Sequence, residues 1–301
     1  MLGFIINPAS GYGRGLTLWN QIQRELRNRG VNYAYRITKQ RGETTRLTQD
    51  LLSEHNIDTL IAIGGDGTIY EAANGLYQSG QLHNVRFGHI PGGTGNDFAR
   101  SHSLSSDPIQ ILNFILNNQD GGKLDLLEVD GTVALNCIGV GFDAVVARYT
   151  NEATYKKALN NFKLGKLSYF ISAIKAFATF RPYSADIIVD GKAYHFSSVW
   201  MIVNSNAPYF GGAMKVCPHA VSDDGEVDVT VFHCNNKMKL ISIFRSIYSG
   251  THIHHPAVTI LRGKHIELKP DSPQQVQADG EALANSNFEI RVLKQALSII
   301  K

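Results

Sequence analysis

The sequence predicts two domains, an open α/β domain followed by a β-rich, sandwich-like one, and three observations carry that prediction. Short apolar runs alternate with longer helical patterns up to residue 122, as βαβ units around a parallel sheet require. From Lys123 onward strand patterns follow one another with Gly, Asp and Pro turns, the texture of antiparallel sheet. A chain of 301 residues with 43% hydrophobic content exceeds the usual single domain and can fill two cores.

In the first domain, residues 1–122, "LGFIIN" reads as a strand, Thr17 to Arg29 as a helix and "NYAYRIT" as a second strand. Glu43 to His55 is helical, "TLIAIGG" a strand, and Thr68 to Ser79 a helix. "VRFGHIPGG" adds a strand and turn, and "DPIQILNFILNN" a helix with Asp107 as N-cap and Pro108 at the first helical position. In the second domain, residues 123–287, strands are expected in "KLDLLEVDG", "TVALNCIGVG", "SADIIVDG", "FSSVWMIVNS", "EVDVTVFH", "AVTILRG" and "HIELKP". A helical insert, 152–181, interrupts them: Leu167, Phe170, Ile171, Ile174 and Phe177 recur at helical spacing among Lys163, Lys166, Lys175 and Arg181. That stripe fits either packing on the β-domain or contact with anionic headgroups.

Composition narrows the function. The net charge of +3 is spread along the chain without a block of like charges, which argues against a nucleic-acid partner and leaves room for an anionic ligand or a membrane surface. Cys137, Cys217 and Cys234 are odd in number and outside any CxxC pattern, so neither a disulfide framework nor a zinc site is indicated and a reducing cytoplasm is expected. "MLGFIINPASG" lacks a basic leader, and no apolar run is long enough to span a bilayer, so neither export by a signal peptide nor membrane spanning is expected.

Three Gly-rich turns stand at strand ends in the first domain: "NPASGYGRG" at 7–15, "GGDGT" at 64–68 and "PGGTGNDFAR" at 91–100. Such turns remove side chains, aim backbone N–H groups at an anion and place a helix N-terminus behind it. Convergence at the carboxyl edge of a parallel sheet predicts a phosphate or nucleotide site. Asp66 would repel a phosphate unless a cation intervenes, so it implies either magnesium or a capping role. No P-loop, HRD or DFG pattern is present.

The set GGDGT, PGGTGNDFAR, "LNCIGVGFDAVVAR" at 135–148, "SDDGEVDV" at 222–229 and "ADGEAL" at 278–283 resembles the bacterial diacylglycerol kinase family of lipid kinases, nearly end to end. GGDGT alone is shared with NAD kinases and phosphofructokinases; the later motifs are more specific. The resemblance implies an ATP-binding α/β domain like that of those enzymes, a β-rich second domain, a cleft between them, and final strands at 288–301 that return to the first domain. It implies ATP contacts at Asn7, Pro8, Ala9, Ser10, Gly11, Thr38, Gly64, Gly65, Asp66, Gly67, Thr68, Ile69, Tyr70 and Thr94. The general base would be Asp279 or Glu281, with Glu281 favoured, and magnesium (Mg2+) would be held by the Asp224 side chain with Val221 and Glu226 backbone oxygens. Asp-Gly also recurs at 66, 120, 130, 190, 224 and 279, so an ordinary hairpin turn competes with both assignments. The implied reaction is phosphorylation of a lipid hydroxyl at a membrane surface, with diacylglycerol foremost and phosphatidylglycerol, a sphingoid base, NAD or a non-catalytic binder as alternatives. Dimers occur in the family, and peripheral attachment at the inner membrane face is compatible with it. The cluster His252, His254 and His255 reads as ordinary surface.

Overall fold

A computed structural model describes residues 1–117, 121–152, 165–283 and 288–300, and divides the chain into two compact units, 1–126 with 293–301, and 127–292. In the first unit five strands pair in parallel: β15 (Phe288–Ile300, by its last residues), β4 (Arg86–Pro91), β3 (Thr59–Gly64), β1 (Leu2–Ile6) and β2 (Tyr33–Ile37), in that order. β3 and β4 read as near-continuous apolar runs because helices cover both faces, the usual signature of parallel strands.

Helices α1 (Ser10–Asn28), α2 (Thr44–Glu54), α3 (Asp66–Gln78), α4 (Asp97–Ser101) and α5 (Pro108–Leu116) connect these strands. The core on one face joins Phe4, Ile6, Ile61 and Ile63 of the sheet to Leu18, Trp19, Ile22 and Leu26 of α1 and Ile111, Leu112 and Ile115 of α5. Asp107 caps α5 by accepting the Ile109 N–H at 2.9 Å, as its sequence position predicts. α1 begins earlier than the expected Thr17, but Gly11, Tyr12 and Gly13 have positive φ, so regular helix starts only after this turn.

The second unit is mainly antiparallel, and its long strand β9 (Lys192–Ser205) organises it. The first half of β9 pairs with β8 (Tyr183–Val189), and Met201–Ser205 pairs with β7 (Cys137–Gly141) and β10 (Val227–His233). β5 (Lys123–Val129) with β6 (Thr132–Ala134), β11 (Val258–Gly263), β12 (His265–Pro270), β13 (Val276–Ala278), β14 (Glu281–Leu283) and the first residues of β15, antiparallel to β12, are its other described strands. Asp130-Gly131, Asp190-Gly191 and Asp279-Gly280 each close a two-residue hairpin with positive φ at both positions, the type I′ geometry that Asp-Gly favours.

Among the described residues three α-helices belong to this unit: α6 (Phe142–Glu152), α7 (Gly165–Thr179) and α8 (Lys237–Ile247). Phe142, Phe180 and Phe177 gather around Trp200, whose indole N–H donates to the Cys234 carbonyl at 2.9 Å. Of the expected insert, Lys163 lies outside the described residues, as do the side chains of Lys166, Leu167 and Phe170; Ile171 and Ile174 are exposed. No helix among the described residues is long and apolar enough to cross a membrane.

Candidate active site

In the first unit the strand order 4-3-1-2 reverses between β1 and β3, the switch point at whose carboxyl strand ends open α/β sheets bind their ligands. Asn7 follows β1 there. Its N–H donates to Ile63 O at 2.9 Å, its side-chain amide donates to Thr68 Oγ1 at 3.2 Å, and its Oδ1 accepts the Ala9 N–H at 3.2 Å. Ser10 Oγ closes the same turn onto Asn7 O at 2.9 Å, and Thr38 joins the edge by donating its N–H to Ile6 O at 2.9 Å.

Close approach of glycines joins the turns. A Cβ on Gly11 would overlap the Gly92 carbonyl oxygen, and one on Gly93 would stand 2.6 Å from Gly65 Cα. Only glycine therefore lets the three turns meet. Gly92 N–H donates to Gly64 O at 2.7 Å, and the buried His89 reaches the same carbonyl at 3.1 Å. Burial pushes His89 down to about 4, so it is neutral near pH 7 and donates Nε2–H, with the backbone oxygen opposing that shift.

Asp66 opens α3, whose first-turn amides lie where a helix leaves N–H groups without intrahelical partners. Its Oδ1 accepts the Phe98 N–H at 3.2 Å, so this carboxylate ties GGDGT to the GTGND turn. Asn96, in the left-handed region, folds that turn by bonding both the N–H and the C=O of Gly93 at 3.1 and 3.0 Å, with Thr94 exposed at its tip. Ile69 and Tyr70 point inward instead. Ile69 is 0% and Tyr70 8% exposed, and the Ile69 N–H serves Gly65 O, so these two side chains back the turn from the core. Arg100 is paired with Asp97 at 2.8 Å.

In the second unit the two candidate base residues occupy different environments. Asp279 is buried, and its carboxylate accepts three backbone N–H groups: Leu135 at 2.7 Å on Oδ2, and Asn136 and Cys137 at 2.9 and 3.0 Å on Oδ1. Burial pushes its carboxyl up to about 6 against the opposing pull of those amides. Asp190, at the equivalent hairpin position, likewise accepts the N–H groups of Lys264 and His265, but at an exposed corner. An aspartate that staples its hairpin to a neighbouring segment is thus a structural device that this fold uses twice. Glu281, next to the turn on β14, is half-buried and pairs with Ala278 across it.

The turn at 221–226 supplies hard oxygen donors of the kind magnesium prefers, but its carboxylate is engaged. Asp224 Oδ1 accepts the Glu226 N–H at 2.9 Å, Oδ2 pairs with the Arg262 guanidinium, and Arg262 also holds Glu226 at 2.9 Å. A cation here competes with Arg262. No group of three or more His, Cys, Asp or Glu side chains that could hold a metal occurs among the described residues. His252 is a core histidine, stacked on Phe232 and bonded to Val216 O at 2.8 Å.

The family model of the diacylglycerol kinase catalytic domain matches residues 1–129, and that of the YegS C-terminal NAD kinase beta sandwich-like domain matches residues 136–301. The chain belongs to the bacterial diacylglycerol kinase family. It is 29% identical over 296 residues to "Putative lipid kinase YtlR" of Bacillus subtilis (strain 168), covering 95% of each protein. It is 24% identical over 306 residues to "Diacylglycerol kinase" of Mycobacterium tuberculosis, covering 99% of this chain and 94% of that protein. A Bacillus anthracis crystal structure described as a "putative diacylglycerol kinase" superposes with a TM-score of 0.81 at 26% identity, covering 99% of this chain and 94% of that one.

Within this diacylglycerol kinase framework, sequence reasoning passed over several residues. His89 is a lone polar residue in the apolar run "VRFGHIP", a pattern that signals a buried polar contact. Asp143 lies in the quoted motif at 135–148 and Gln277 directly precedes ADGEAL, yet their contact joins positions 134 apart in sequence and has no local signature. Arg262 reaches Asp224 over 38 positions in the same way.

Proposed function

We propose that the chain is an ATP- and magnesium-dependent lipid kinase that transfers the γ-phosphoryl group of ATP to the hydroxyl of diacylglycerol, giving phosphatidic acid. The observation that carries this reading is the contact of three Gly-rich turns at the strand-order reversal of a parallel sheet, which forms an anion cradle in a chain of lipid-kinase family. Asn7, Pro8, Ala9, Ser10 and Gly11, Thr38, Gly64 to Thr68, and Thr94 would hold the nucleotide. Magnesium, when bound, would neutralise the phosphates. Asp66 offers a carboxylate near them, and Asp224 with the Val221 and Glu226 carbonyls would hold a second, structural ion once Arg262 yields.

Glu281 is the base in this reading, taking the acceptor proton as the oxygen attacks, while Asp279 fixes the turn that carries it. Asp279 suits that second role because both its oxygens are already engaged. Diacylglycerol as acceptor is supported by the name of the Mycobacterium relative. Attachment at a membrane surface is supported by α8 and its C-terminal end. Met238 and Tyr248 are 71% and 63% exposed on one stripe with Ile241 and Arg245, Lys237 and Lys239 flank them, and no acidic residue occurs from 234 to 255.

The test is label transfer from γ-labelled ATP, with and without magnesium, to separate samples of diacylglycerol, phosphatidylglycerol, sphingosine and NAD. Labelled phosphatidic acid formed only with magnesium is expected. Label in another acceptor moves the substrate assignment, and label in none overturns the kinase reading.

A further inference from the structure

We propose that helix α6 braces the Asp279-Gly280-Glu281 turn, and that Asp143, Gln277 and Asn151 are positioning residues for Glu281. This rests on the reading of Glu281 as the base. Gly280, the residue between the two candidate carboxylates, is held from both sides: Gln277 Oε1 accepts its N–H at 2.6 Å, and Asn151 Nδ2 donates to its carbonyl at 3.2 Å. The N–H belongs to the peptide plane between Asp279 and Gly280 and the C=O to the plane between Gly280 and Glu281, so each plane flanking Gly280 is held by one bond and neither can rotate without breaking it.

Gln277 is 1% exposed, and its amide orientation follows from chemistry. The Gly280 N–H needs an oxygen, so the NH2 group must face the other way, where it donates to Asp143 Oδ2 at 3.1 Å. The reverse orientation would set amine against N–H and carbonyl against carboxylate, two repulsive contacts at one buried site. Asp143 thereby selects the orientation of Gln277 that holds Gly280.

The backbone is shaped to admit this arrangement. Gln277 pairs with Gly139 on β7, and a Cβ on Gly139 would overlap Asp143 Oδ2, so only glycine lets the first turn of α6 press its carboxylate against the sheet. Asp143 and Asn151 stand at opposite ends of α6, eight residues or about 12 Å apart along the axis. The helix thus contacts the turn directly at one end and through Gln277 at the other. The titratable groups around Asp143 are the Cys137 thiol, the Tyr183 hydroxyl and Asp279, the thiol and the hydroxyl both raised by burial and by neighbouring carboxylates. Burial pushes Asp143 itself up to about 6. An apolar residue would pack here at less cost, so retaining a carboxylate accords with a positioning task.

None of the three touches the reacting atoms in this account, so their loss lowers kcat and spares the KM for ATP. The experiment compares Gln277→Leu, Gln277→Glu, Asn151→Ala and Glu281→Gln in the full chain, each single and each brace variant combined with Glu281→Gln. Gln277→Leu and Asn151→Ala should lower kcat by about 10- to 100-fold, as misplacement of a reacting group does, with the KM for ATP within about twofold. In the Glu281→Gln background they should cost nothing further, because they act through that residue. Gln277→Glu sets a second carboxylate against Asp143, so its activity should be regained as pH falls and the pair shares a proton, a pH profile that a purely structural role would not produce. Asn151 is partly exposed, so Asn151→Ala remains informative if a Gln277 variant fails to fold. Undiminished kcat in both Gln277→Leu and Asn151→Ala, alongside an inactive Glu281→Gln, overturns the brace alone. An active Glu281→Gln overturns the base assignment and the brace with it.

Discussion

Replacing Asp279 by Asn separates anchoring from proton transfer, because the two carboxylates of the turn are predicted to fail in different ways. Asp279 accepts three N–H groups with two oxygens, whereas Asn offers one carbonyl oxygen. If that oxygen keeps Asn136 and Cys137, the new NH2 faces the Leu135 N–H at the 2.7 Å where Oδ2 stood. A lost bond to a charged acceptor costs about 1.5–3 kcal/mol, and a buried N–H left unmet costs about 1–3 kcal/mol more. Asn carries no charge into the interior, which offsets part of this, so a net loss of about 3 kcal/mol is expected. That corresponds to a Tm lower by about 6–12 °C. Glu281→Gln is nearly isosteric at a half-buried strand position and should keep Tm within about 2 °C while kcat falls by about 10²-fold or more. Differential scanning calorimetry and label-transfer kinetics on the same preparations make the comparison. An Asp279→Asn protein with unchanged Tm and lost kcat, beside an active Glu281→Gln, would refute the reasoning and make Asp279 the base.

Gly93→Ala would drive a methyl group to 2.6 Å from Gly65 Cα, and the overpacking of about 1–3 kcal/mol should appear mainly as a raised Kd for ATP in calorimetric titration; unaltered ATP binding would separate the turns from the nucleotide site. Asp143, raised by burial from 3.8 to about 6, is protonated more readily in the folded than the unfolded chain, so the stability it contributes is present at acid pH and is lost by about 3 kcal/mol as pH rises from about 4 to about 6. Asp143→Asn should therefore be most destabilised relative to the parent near pH 4 and least near pH 7 in denaturant titrations, and a gap that widens with pH contradicts the assignment. Met238→Ser with Ile241→Ser and Tyr248→Ser should lower sedimentation with phosphatidylglycerol vesicles by about tenfold or more at unchanged Tm, since each replaces an exposed apolar side chain on one stripe; equal sedimentation would remove α8 from the membrane reading. Magnesium should raise the Tm of Arg262→Gln more than that of the parent, because the guanidinium no longer competes for Asp224; no rise in either would discard that ion site.

The local features of this chain were legible and the long-range ones were not. The cap of α5 was readable because Asp107 and Pro108 act within one turn, and the seven strand patterns from Lys123 onward correspond to β5 to β12, with TVALNCIGVG covering both β6 and β7, because short apolar runs bounded by Gly, Asp and Pro mark strands locally. The Gly-rich turns announced themselves one by one, but their mutual contact depends on the approach of Gly11 to Gly92 and of Gly65 to Gly93, which spacing does not encode. Ile69 and Tyr70 belong to the motif's stretch of sequence, and only the helical phase of α3 turns them into the core. Asp-Gly at 130, 190 and 279 looks identical in sequence and makes the same type I′ turn; burial against residues 135–137, more than 140 positions away, sets Asp279 apart.

The measurement that bears most directly on the central claim is the fate of the γ-phosphoryl group when the purified chain meets γ-labelled ATP, magnesium and diacylglycerol in mixed micelles. Label recovered in phosphatidic acid, and abolished by Glu281→Gln, is the predicted result. Label that stays in ATP or passes only to inorganic phosphate would contradict it.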